Sequence, residues 1–315
     1  MEFGRTKHIE KIDFSLPLDA VMTGQVLAQV MGKAAREDPG LFEDPDPFRC
    51  YVGGTGWGQP NWIGKVYPRG TKPKDFLQQY ACRFNSIELN ALWYNLQPKS
   101  VIEKWASLVG PSFRFCPKVS NTISHELQLV NAGHDTELFI DHMQSFGGTL
   151  GPSFLQLAES FAPTRAAILE DYLRQLPRHF RLAVELRHEG WFGTAAVRAT
   201  WELFRELGIG AVITDTPGRR DVLHMRLTAP FAFIRFVANQ QHPTDFQRID
   251  EWADRLSEWV KKGLREVYFF VHDHQELFVP ELCRYAIERF NEKCGAGLEP
   301  LQLLSEDPPA GLTLF

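Results

Sequence analysis

From Arg49 onward the chain alternates short apolar runs with amphipathic segments, and this alternation is the feature that most restricts its fold. Runs of this kind are typical of strands buried on both faces, and the segments between them are typical of helices that cover a parallel sheet. Eight runs are present, which is the number of strands that closes a TIM barrel. The predicted strands span residues 50–53, 86–89, 114–117, 153–157, 182–186, 210–214, 231–236 and 266–271.

The amphipathic segments predict helices over residues 74–83, 99–108, 135–146, 164–175, 194–207, 245–261 and 280–291. The stretch TPGRRDVLHMRLTAP, between the sixth and seventh strands, shows no helical period. We therefore predict an α/β protein of the TIM (β/α)8 type in which one barrel helix is missing or is replaced by an irregular loop.

Residues 1–48 lie outside this alternation and are predicted to form an N-terminal helical extension to a barrel domain of residues 49–315. A partial apolar face predicts a helix over residues 18–36, and the acidic, proline-rich sequence EDPDPF follows it. Two interpretations stay open. The extension is either a strap packed outside the barrel or a partly disordered leader.

The composition argues against several classes of protein. A net charge of -5 and a pI near 6.1 give no overall basic field to attract nucleic acid or an anionic membrane, although a local basic patch stays open. The five cysteines form no C-x-x-C pair, which argues against a disulfide framework or a structural zinc site. No apolar run approaches the roughly 20 residues of a membrane helix, and no signal-peptide core is present. We expect a cytoplasmic protein without membrane association.

In a TIM barrel the residues at the carboxyl ends of the strands carry the chemistry. The sequence RLAVELRHEGWF brings Glu185, Arg187 and His188 to the end of the fifth strand. Because side chains alternate along a strand, Glu185 and Arg187 are expected on one face, where a buried carboxylate and guanidinium must satisfy each other. This cluster is interpreted as part of a site, and a purely structural ion network is the alternative.

Three other strands contribute charged residues at the same end. Glu88 is interpreted as a metal ligand or general base, or else as a structural ion-pair partner of Arg187 or Arg235. Arg235 points inward or outward depending on register, and binding of phosphate or carboxylate is its expected task. Asp215 is expected to share a cation or a substrate hydroxyl with Glu185, or to cap a turn.

The loops after the first and third strands add further candidates. Lys118 is interpreted as an anion contact, with a Schiff base as the alternative. His125 is interpreted as a proton carrier or as a helix cap. The glycine-rich sequence YVGGTGW, with Gly54 and Trp57, either offers backbone amides to an anion or forms a tight turn that covers the barrel mouth.

The last predicted strand ends in HDHQE, which places His272 and His274 on one face, an arrangement that suits a metal ion. The alternative interpretation of this segment is an aspartate that caps a helix, flanked by histidines that face solvent. Asp273 is a candidate substrate contact. The candidate ligands of a divalent metal ion are Glu185, Asp215 and His274.

Seven segments, in this order and spacing, resemble the domain of unknown function 72 family: YVGGTGW, FNSIELNALWYNL, FRFCPKVSNTISHEL, LGPSFLQLAESF, RLAVELRHEGWF, AVITDTPG and VYFFVHDHQELFVPEL. The resemblance implies a TIM barrel and no established reaction. Two segments depart from the family pattern, since RFVANQ stands where R-L-H-G is common and FVHDHQE where F-N-N-D is common. Arg235 and Asp273 persist, whereas Val237 and His272 replace a histidine and an asparagine.

These residues predict an enzyme, a hydrolase or an isomerase, that acts on a phosphorylated, sugar-type or nucleotide-type anionic substrate, with a divalent metal ion as an optional cofactor. The hypothesis makes Glu185, Glu88, His125 and Asp215 catalytic and assigns substrate binding to Arg187, His188, Arg235, Lys118, Trp57, Gly54 and Asp273. The alternative is a non-catalytic module that binds a nucleotide, a nucleic-acid end or an anionic metabolite. A glycosidase that uses Glu88 and Glu185, or a serine or cysteine nucleophile, has less support.

Overall fold

A computed structural model gives the structure of residues 4, 6, 8–37, 48–193 and 197–304, with the side chains of residues 32–37 left out. All eight predicted strands are present, each within one residue of its predicted bounds. They are β1 (Arg49–Gly53), β2 (Ser86–Leu89), β3 (Arg114–Pro117), β4 (Ser153–Gln156), β5 (Leu182–Glu185), β6 (Gly210–Asp215), β7 (Phe231–Val237) and β8 (Glu266–His272).

The paired strands are all parallel and form a TIM-like barrel whose backbone ladder is interrupted at two seams. One ladder has the order β1-β8-β7-β6-β5-β4, and β2 pairs with β3 in the other. Fewer hydrogen bonds cross the seams, among them Glu88 N to Gly54 O at 3.1 Å and Val119 N to Phe154 O at 2.9 Å. At the β1–β2 seam a Cβ on Gly53 would lie 1.9 Å from the Ser86 carbonyl oxygen, so only glycine allows this approach.

The barrel interior is filled by side chains, as in other barrels of this size. We call its buried cluster the inner cluster; it consists of Tyr51, Cys116, Phe154, Ala183, Val212, Ala229, Phe231, Phe233, Tyr268 and Phe270. Tyr51 and Tyr268 stack with ring centroids 4.8 Å apart. A second, larger apolar cluster fills the space between the strands and the helices that surround them.

The helices outside the barrel follow the predicted positions. They are α1 (Val21–Glu37), α2 (Phe76–Ala81), α3 (Ala91–Tyr94), α4 (Lys99–Ser107), α5 (Gly133–Met143), α6 (Ala166–Gln175), α7 (Arg198–Leu207), α8 (Pro243–Lys261) and α9 (Val279–Cys294). The short α3 was not predicted, and residues 194–196 of the helix predicted over residues 194–207 lie outside the described residues. Helices α7 and α9 end at Gly208 and Gly295, which adopt the left-handed conformation.

The predicted absence of one barrel helix is confirmed. Between β6 and β7 the chain forms only a short 3-10 turn, Arg220–Val222, and otherwise follows an irregular path. Helix α1 packs against this path: Thr23 Oγ1 donates to the Met225 carbonyl oxygen at 2.7 Å and accepts from Leu227 N at 3.0 Å. The N-terminal helix therefore covers the part of the barrel that a sixth βα helix would cover.

Side chains before α1 fasten it to α8. Asp19 accepts hydrogen bonds from Trp259 Nε1 at 3.0 Å and from Arg255 at 2.6 Å. The predicted helix of the extension is thus confirmed, and the described part of the extension is packed as a strap. The division into residues 1–48 and 49–315 stays a prediction, and residues 38–47 and 305–315 lie outside the described residues.

The five cysteines all lie in the described part of the chain, and all are free thiols. No helix among the described residues is long and apolar enough to cross a membrane.

Candidate functional site

A ring of polar side chains lies at the carboxyl ends of the strands, directly above the inner cluster. Seven strands carry a polar residue two positions beyond a residue of the barrel interior, so strand alternation points these side chains inward. We call this ring the polar layer; it consists of Glu88, Lys118, Gln156, Glu185, Thr214, Arg235 and His272. All seven residues are buried.

Arg235 is the centre of the polar layer. Its Nε and Nη2 donate to the two oxygens of Glu88 at 2.8 and 2.9 Å, and its Nη1 donates to Glu185 at 2.5 Å. The open register of β7 is therefore settled, since Arg235 points inward and lies over the ring of Phe154, 5.3 Å from its centroid. The guanidinium is bidentate to one carboxylate and shared with a second, which gives it a fixed orientation.

The remaining acceptor positions of the two carboxylates are also used. Glu185 accepts from Arg187 Nε at 2.9 Å, which confirms that these two side chains share a face. Glu88 accepts from Asn90 at 3.0 Å and from His272 Nε2 at 2.9 Å. Because a carboxylate only accepts, His272 carries its proton on Nε2.

These contacts keep both carboxylates ionised. Burial alone would raise the pKa of Glu88, but the charges of Arg235 and His272 hold it well below the usual range. Burial likewise opposes the lowered pKa of Glu185, which results from Arg187 and Arg235. Burial lowers the pKa of His272, although Glu88 opposes the shift. For Glu88 the structure therefore favours the ion-pair interpretation over that of a general base.

Lys118 differs from the other charged members of the polar layer. Its ammonium group lies 4.3 Å from the centroid of the Trp93 ring, and it makes no hydrogen bond or salt bridge with any described residue. Burial, and then the charge of Arg235, lower the pKa of Lys118 to about 8. A buried cation without a carboxylate partner is costly, so an anion in this place would stabilise it.

His125 follows Lys118 in the loop after β3 and has a defined tautomer. Ser124 Oγ donates its single proton to the Ser120 carbonyl oxygen at 2.8 Å, so it must accept from His125 Nδ1, also at 2.8 Å. The proton therefore lies on Nδ1, and Nε2 carries a lone pair. Burial and the charge of Lys118 lower the pKa of His125, which keeps the imidazole neutral.

Asp215 does not join this site, and its predicted grouping with Glu185 is corrected. In the β6–β7 register Thr214 lies level with Arg235, so Asp215, one residue later, faces the opposite side of the sheet. There it accepts hydrogen bonds from Trp252 and Arg248 of α8, at 2.9 and 3.1 Å, and from Arg220 at 2.5 Å. Asp215 therefore links the barrel to its helical layer.

The predicted metal ligands are not brought together. Glu185 points into the barrel, Asp215 faces α8, and His274 is exposed. His272, the other member of the H-x-H pair, is bonded to Glu88. Over the described residues, no group of three or more His, Cys, Asp or Glu side chains is arranged to hold a metal ion.

The remaining predicted contacts have local roles in the fold. The amide of Gly54 donates to Tyr80 Oη at 2.9 Å, so it is not available to an anion. Trp57 packs edge-on against Trp105, with centroids 5.2 Å apart, which supports the packing interpretation. His188 Nδ1 accepts from Gly190 N at 3.0 Å and caps a short turn. The Gly54 amide is thus used within the fold, and substrate contact by Gly54, Trp57 or His188 stays a prediction.

Two carboxyl groups beside β8 complete the mouth, and one of them was not predicted. Asp273 is buried, and its Oδ1 has no hydrogen-bond partner among the described residues. Glu276 accepts from Thr55 Oγ1 at 2.7 Å, but its buried Oε2 has no partner in the same part of the chain. Burial, with the nearby charge of Asp273, raises the pKa of Glu276 to about 7. The sequence offers no signal for Glu276, because its burial depends on loops that come from distant positions.

Comparison with known proteins identifies the family. The family model described as "Protein of unknown function DUF72" matches residues 51–303. The chain belongs to the DUF72 family. This confirms the resemblance drawn from the seven sequence segments.

Relatives of the DUF72 chain include two bacterial proteins whose names state no activity. The UPF0759 protein YecE of Escherichia coli K12 is 27% identical over 251 residues, which cover 74% of this chain and 89% of YecE. The UPF0759 protein YunF of Bacillus subtilis 168 is 37% identical over 174 residues, which cover 53% of this chain and 61% of YunF.

Solved structures of DUF72 proteins share the fold. A DUF72 family protein from Thermotoga maritima superposes with a TM-score of 0.59 at 24% identity, covering 78% of this chain and 99% of the other. One from Enterococcus faecalis V583 superposes with a TM-score of 0.57 at 20% identity, covering 79% and 99%. At these identities the likeness establishes the architecture alone.

Proposed function

We propose that this DUF72 chain is an enzyme that acts, at the carboxyl end of its barrel, on a small phosphorylated or sugar-type anionic substrate. The observation that carries the proposal is Lys118, a buried cation with no carboxylate partner among the described residues, next to a neutral His125. Active sites of TIM barrels lie at this end, which supports the location by analogy of fold.

The charges of the mouth favour an anion. The carboxylates of Glu88 and Glu185 balance the guanidinium groups of Arg235 and Arg187 through direct ion pairs. Lys118 adds a positive charge that takes part in none of these ion pairs. Because the surroundings are buried, that charge is poorly screened and acts strongly on a bound anion.

The same geometry selects His125 as the group that moves a proton. Both carboxylates of the polar layer have lowered pKa values, so at neutral pH they hold no proton to give and are weak bases. The free Nε2 of the neutral His125 imidazole has a lone pair that can accept a proton. A base beside a cation is what the isomerisation of a carbonyl sugar requires, since the cation stabilises the negative charge that develops when a carbon loses its proton. Of the two predicted reaction classes, the arrangement favours isomerisation over hydrolysis.

Exchange of carbon-bound hydrogen tests this function. The chain is incubated in heavy water with dihydroxyacetone phosphate, ribose 5-phosphate or glucose 6-phosphate, and proton NMR follows exchange and interconversion. We expect exchange into at least one sugar phosphate, slowed by about 100-fold or more in His125→Gln, since removal of a general base has effects of this size.

The same substitution at the exposed His134 is the matched control and should leave the rate unchanged. If the unmodified chain exchanges hydrogen into none of the three sugars and releases no phosphate from them, the proposed reaction is wrong. If His125→Gln exchanges as fast as the unmodified chain, the role of His125 is wrong.

A binding module is the second candidate, favoured by the locked state of the two carboxylates. Glu88 and Glu185 are both held by arginine, so the polar layer resembles a rigid platform as much as a reactive centre. The anion, a nucleotide, nucleic-acid end or metabolite in this case, would lie against Lys118 and Trp93. Binding of sugar phosphates without any exchange or hydrolysis would favour this candidate.

A further inference from the structure

We propose that Lys118 is a covalent nucleophile, whose amine forms a Schiff base with an aldehyde or ketone that carries a phosphate group. This inference rests on the proposed function and names its substrate class. The anionic end of the substrate is attracted by the cationic side chains near Lys118, Arg187 and Arg235 among them, and its carbonyl carbon lies at the Lys118 amine.

Burial and position make Lys118 suited to this reaction. The residue is 8% exposed, and its backbone is fixed between neighbouring strands by hydrogen bonding of Lys118 N to Leu89 O at 3.0 Å. Its amine forms no hydrogen bond or salt bridge with any described residue, so Glu185 and Glu88 act on it only through space. A desolvated lysine next to another cation is the arrangement that makes an amine nucleophilic near neutral pH.

The cationic neighbours are Arg235 and Arg187. Burial is the largest cause of the lowered pKa of Lys118, and the charges of both arginines add to it. The charges of Glu185 and Glu88 oppose the shift, and the pKa is about 8. About a tenth of the amine is then unprotonated at pH 7, compared with less than a thousandth for an ordinary lysine of pKa about 10.4.

Trp93 connects Lys118 with a proton carrier. Its ring lies under the Lys118 ammonium, at 4.3 Å, and edge-on to His125, with centroids 5.3 Å apart. The buried Trp93 Nε1 has no acceptor among the described residues, so it offers a donor to a substrate oxygen. The amine of Lys118 and the imidazole of His125 therefore both contact one indole ring at the end of β3.

The reaction needs no further reagent. The lone pair of Nζ forms a bond to the carbonyl carbon, and the carbonyl π electrons move to oxygen, which takes a proton from water. The nitrogen of this carbinolamine still carries two protons; His125 carries one of them to the hydroxyl, which leaves as water, and a protonated imine remains. The protonated imine then withdraws electrons from the adjacent carbon, whose proton His125 Nε2 removes.

Trapping with borohydride tests the inference on the full-length chain. Hydride reduces an imine to a stable secondary amine, so the labelled residue gains the mass of the probe less one oxygen atom. With glyceraldehyde 3-phosphate at pH 7, we expect peptide mass spectrometry to find Lys118 labelled at least about ten times faster than the exposed Lys74. Labelling by unphosphorylated glyceraldehyde should be about ten times slower at Lys118 and unchanged at Lys74.

Two variants separate this inference from the proposed function. Lys118→Arg keeps the cation without a nucleophilic amine, whereas Lys118→Met removes both. Titration with inorganic phosphate, followed by phosphorus NMR, should show near-normal affinity for the arginine variant and at least about ten-fold weaker affinity for the methionine variant.

The outcomes are distinct. If Lys118 reacts no faster than Lys74, or equally with both aldehydes, the covalent role is overturned. The proposed anion site survives that result if phosphate still binds the unmodified chain and Lys118→Met weakens it. If phosphate does not bind the unmodified chain, the proposed function fails together with the substrate class named here.

Discussion

Glu276 retains its proton close to neutral pH because burial raises the pKa of its carboxyl group to about 7. Thr55 Oγ1 is the one side-chain donor that this carboxyl group has among the described residues. Glu276 also adopts a left-handed backbone conformation, with φ of 57°, which side-chain-bearing residues rarely adopt. Its carbonyl oxygen accepts from Trp62 Nε1 at 2.7 Å, and its Oε1 accepts from Thr55, so the surrounding loops hold it in place. Strained residues held in this manner are common at functional sites.

The raised pKa of Glu276 predicts a loss of stability as the pH rises. The pKa of Glu276 is about 7 in the fold, compared with 4.5 for an unperturbed glutamate carboxyl group, so the folded state binds the proton more tightly. The resulting stabilisation is complete below pH 4.5 and is lost as the pH rises through about 7. Glu276→Gln removes this dependence, so between pH 5 and pH 8 the variant should gain about 1–3 kcal/mol relative to the unmodified chain.

Urea unfolding at both pH values measures the difference. Glu103→Gln, at an exposed position, is the control and should show no relative gain. An equal pH dependence for Glu276→Gln and the unmodified chain would contradict the argument.

Sequence reasoning located most of the polar layer because parallel strands deliver their ends to one mouth. Glu88, Glu185 and Arg235 converge for that reason, and strand alternation correctly paired Glu185 with Arg187. The same reasoning placed Asp215 on the wrong face of its strand, because the inward-facing residue is its neighbour Thr214. Only the register of β6 against β7 decides which of the two faces inward. A carboxyl group in a loop, such as that of Glu276, has no periodicity from which burial could be predicted.

Helix α1 shows how an element from outside the βα repeat completes a barrel. The irregular connection between β6 and β7 leaves apolar surface that no local helix covers, and α1 buries it with Met22, Val26 and Leu27. Its close approach to the turn after α8 depends on Gly263, with φ of 111°, where a Cβ would lie 2.7 Å from the side chain of Met31. The helix is therefore part of the apolar core that surrounds the barrel.

Two valines of α1 allow a matched test of this role. Val26 is 4% exposed and Val21 is 82% exposed, and both lie in the same helix. Val26→Ala should lower the free energy of unfolding by about 1–3 kcal/mol through lost burial and the cavity that remains, whereas Val21→Ala should change it little. Thermal unfolding of the two variants gives the comparison, and equal midpoints would show that α1 does not belong to the cooperative fold.

At the scale of elements, local patterns were sufficient for the strands and for most helices. The strands β1 to β8 have continuous apolar runs, and the segment from residue 216 to residue 230 lacks a helical period, so both were predictable. The place of α1 was not, because it depends on contacts such as that of Thr23 with Met225, 202 residues later in the chain. No local pattern reports a partner at that separation.

Across the whole molecule, the polar layer joins parts of the barrel that the backbone ladder leaves separate. Arg235 of β7, in the six-stranded ladder, is bonded to Glu88 of β2, in the two-stranded ladder. It is also bonded to Glu185 of β5, on the other side of the interior. One guanidinium therefore connects three strands beneath the proposed substrate.

Removal of this guanidinium should destabilise the entire barrel. Arg235→Met leaves two buried carboxylates without their shared partner, and breaking a buried pair in this way costs about 3–5 kcal/mol. Arg174→Met is the control, because Arg174 pairs with Glu170 and Glu206 at an exposed surface and its loss should cost less than about 1 kcal/mol.

Guanidinium chloride unfolding, followed by circular dichroism, measures both variants of this pair. Similar losses for Arg235→Met and Arg174→Met would mean that Arg235 does not hold the strands together. The free energy of unfolding that Arg235→Met loses should be smaller at low pH. There Glu88 and Glu185 become protonated in the variant, and neutral carboxyl groups need no cation.

The position of α1 also sets an order of events during synthesis. The ribosome makes this helix about two hundred residues before Met225, to which the helix is hydrogen-bonded. Until then its apolar face has nowhere to dock, and a nascent chain that stops before β7 keeps this face unburied. The barrel is therefore completed by joining α1 to a segment that is synthesised about two hundred residues after it.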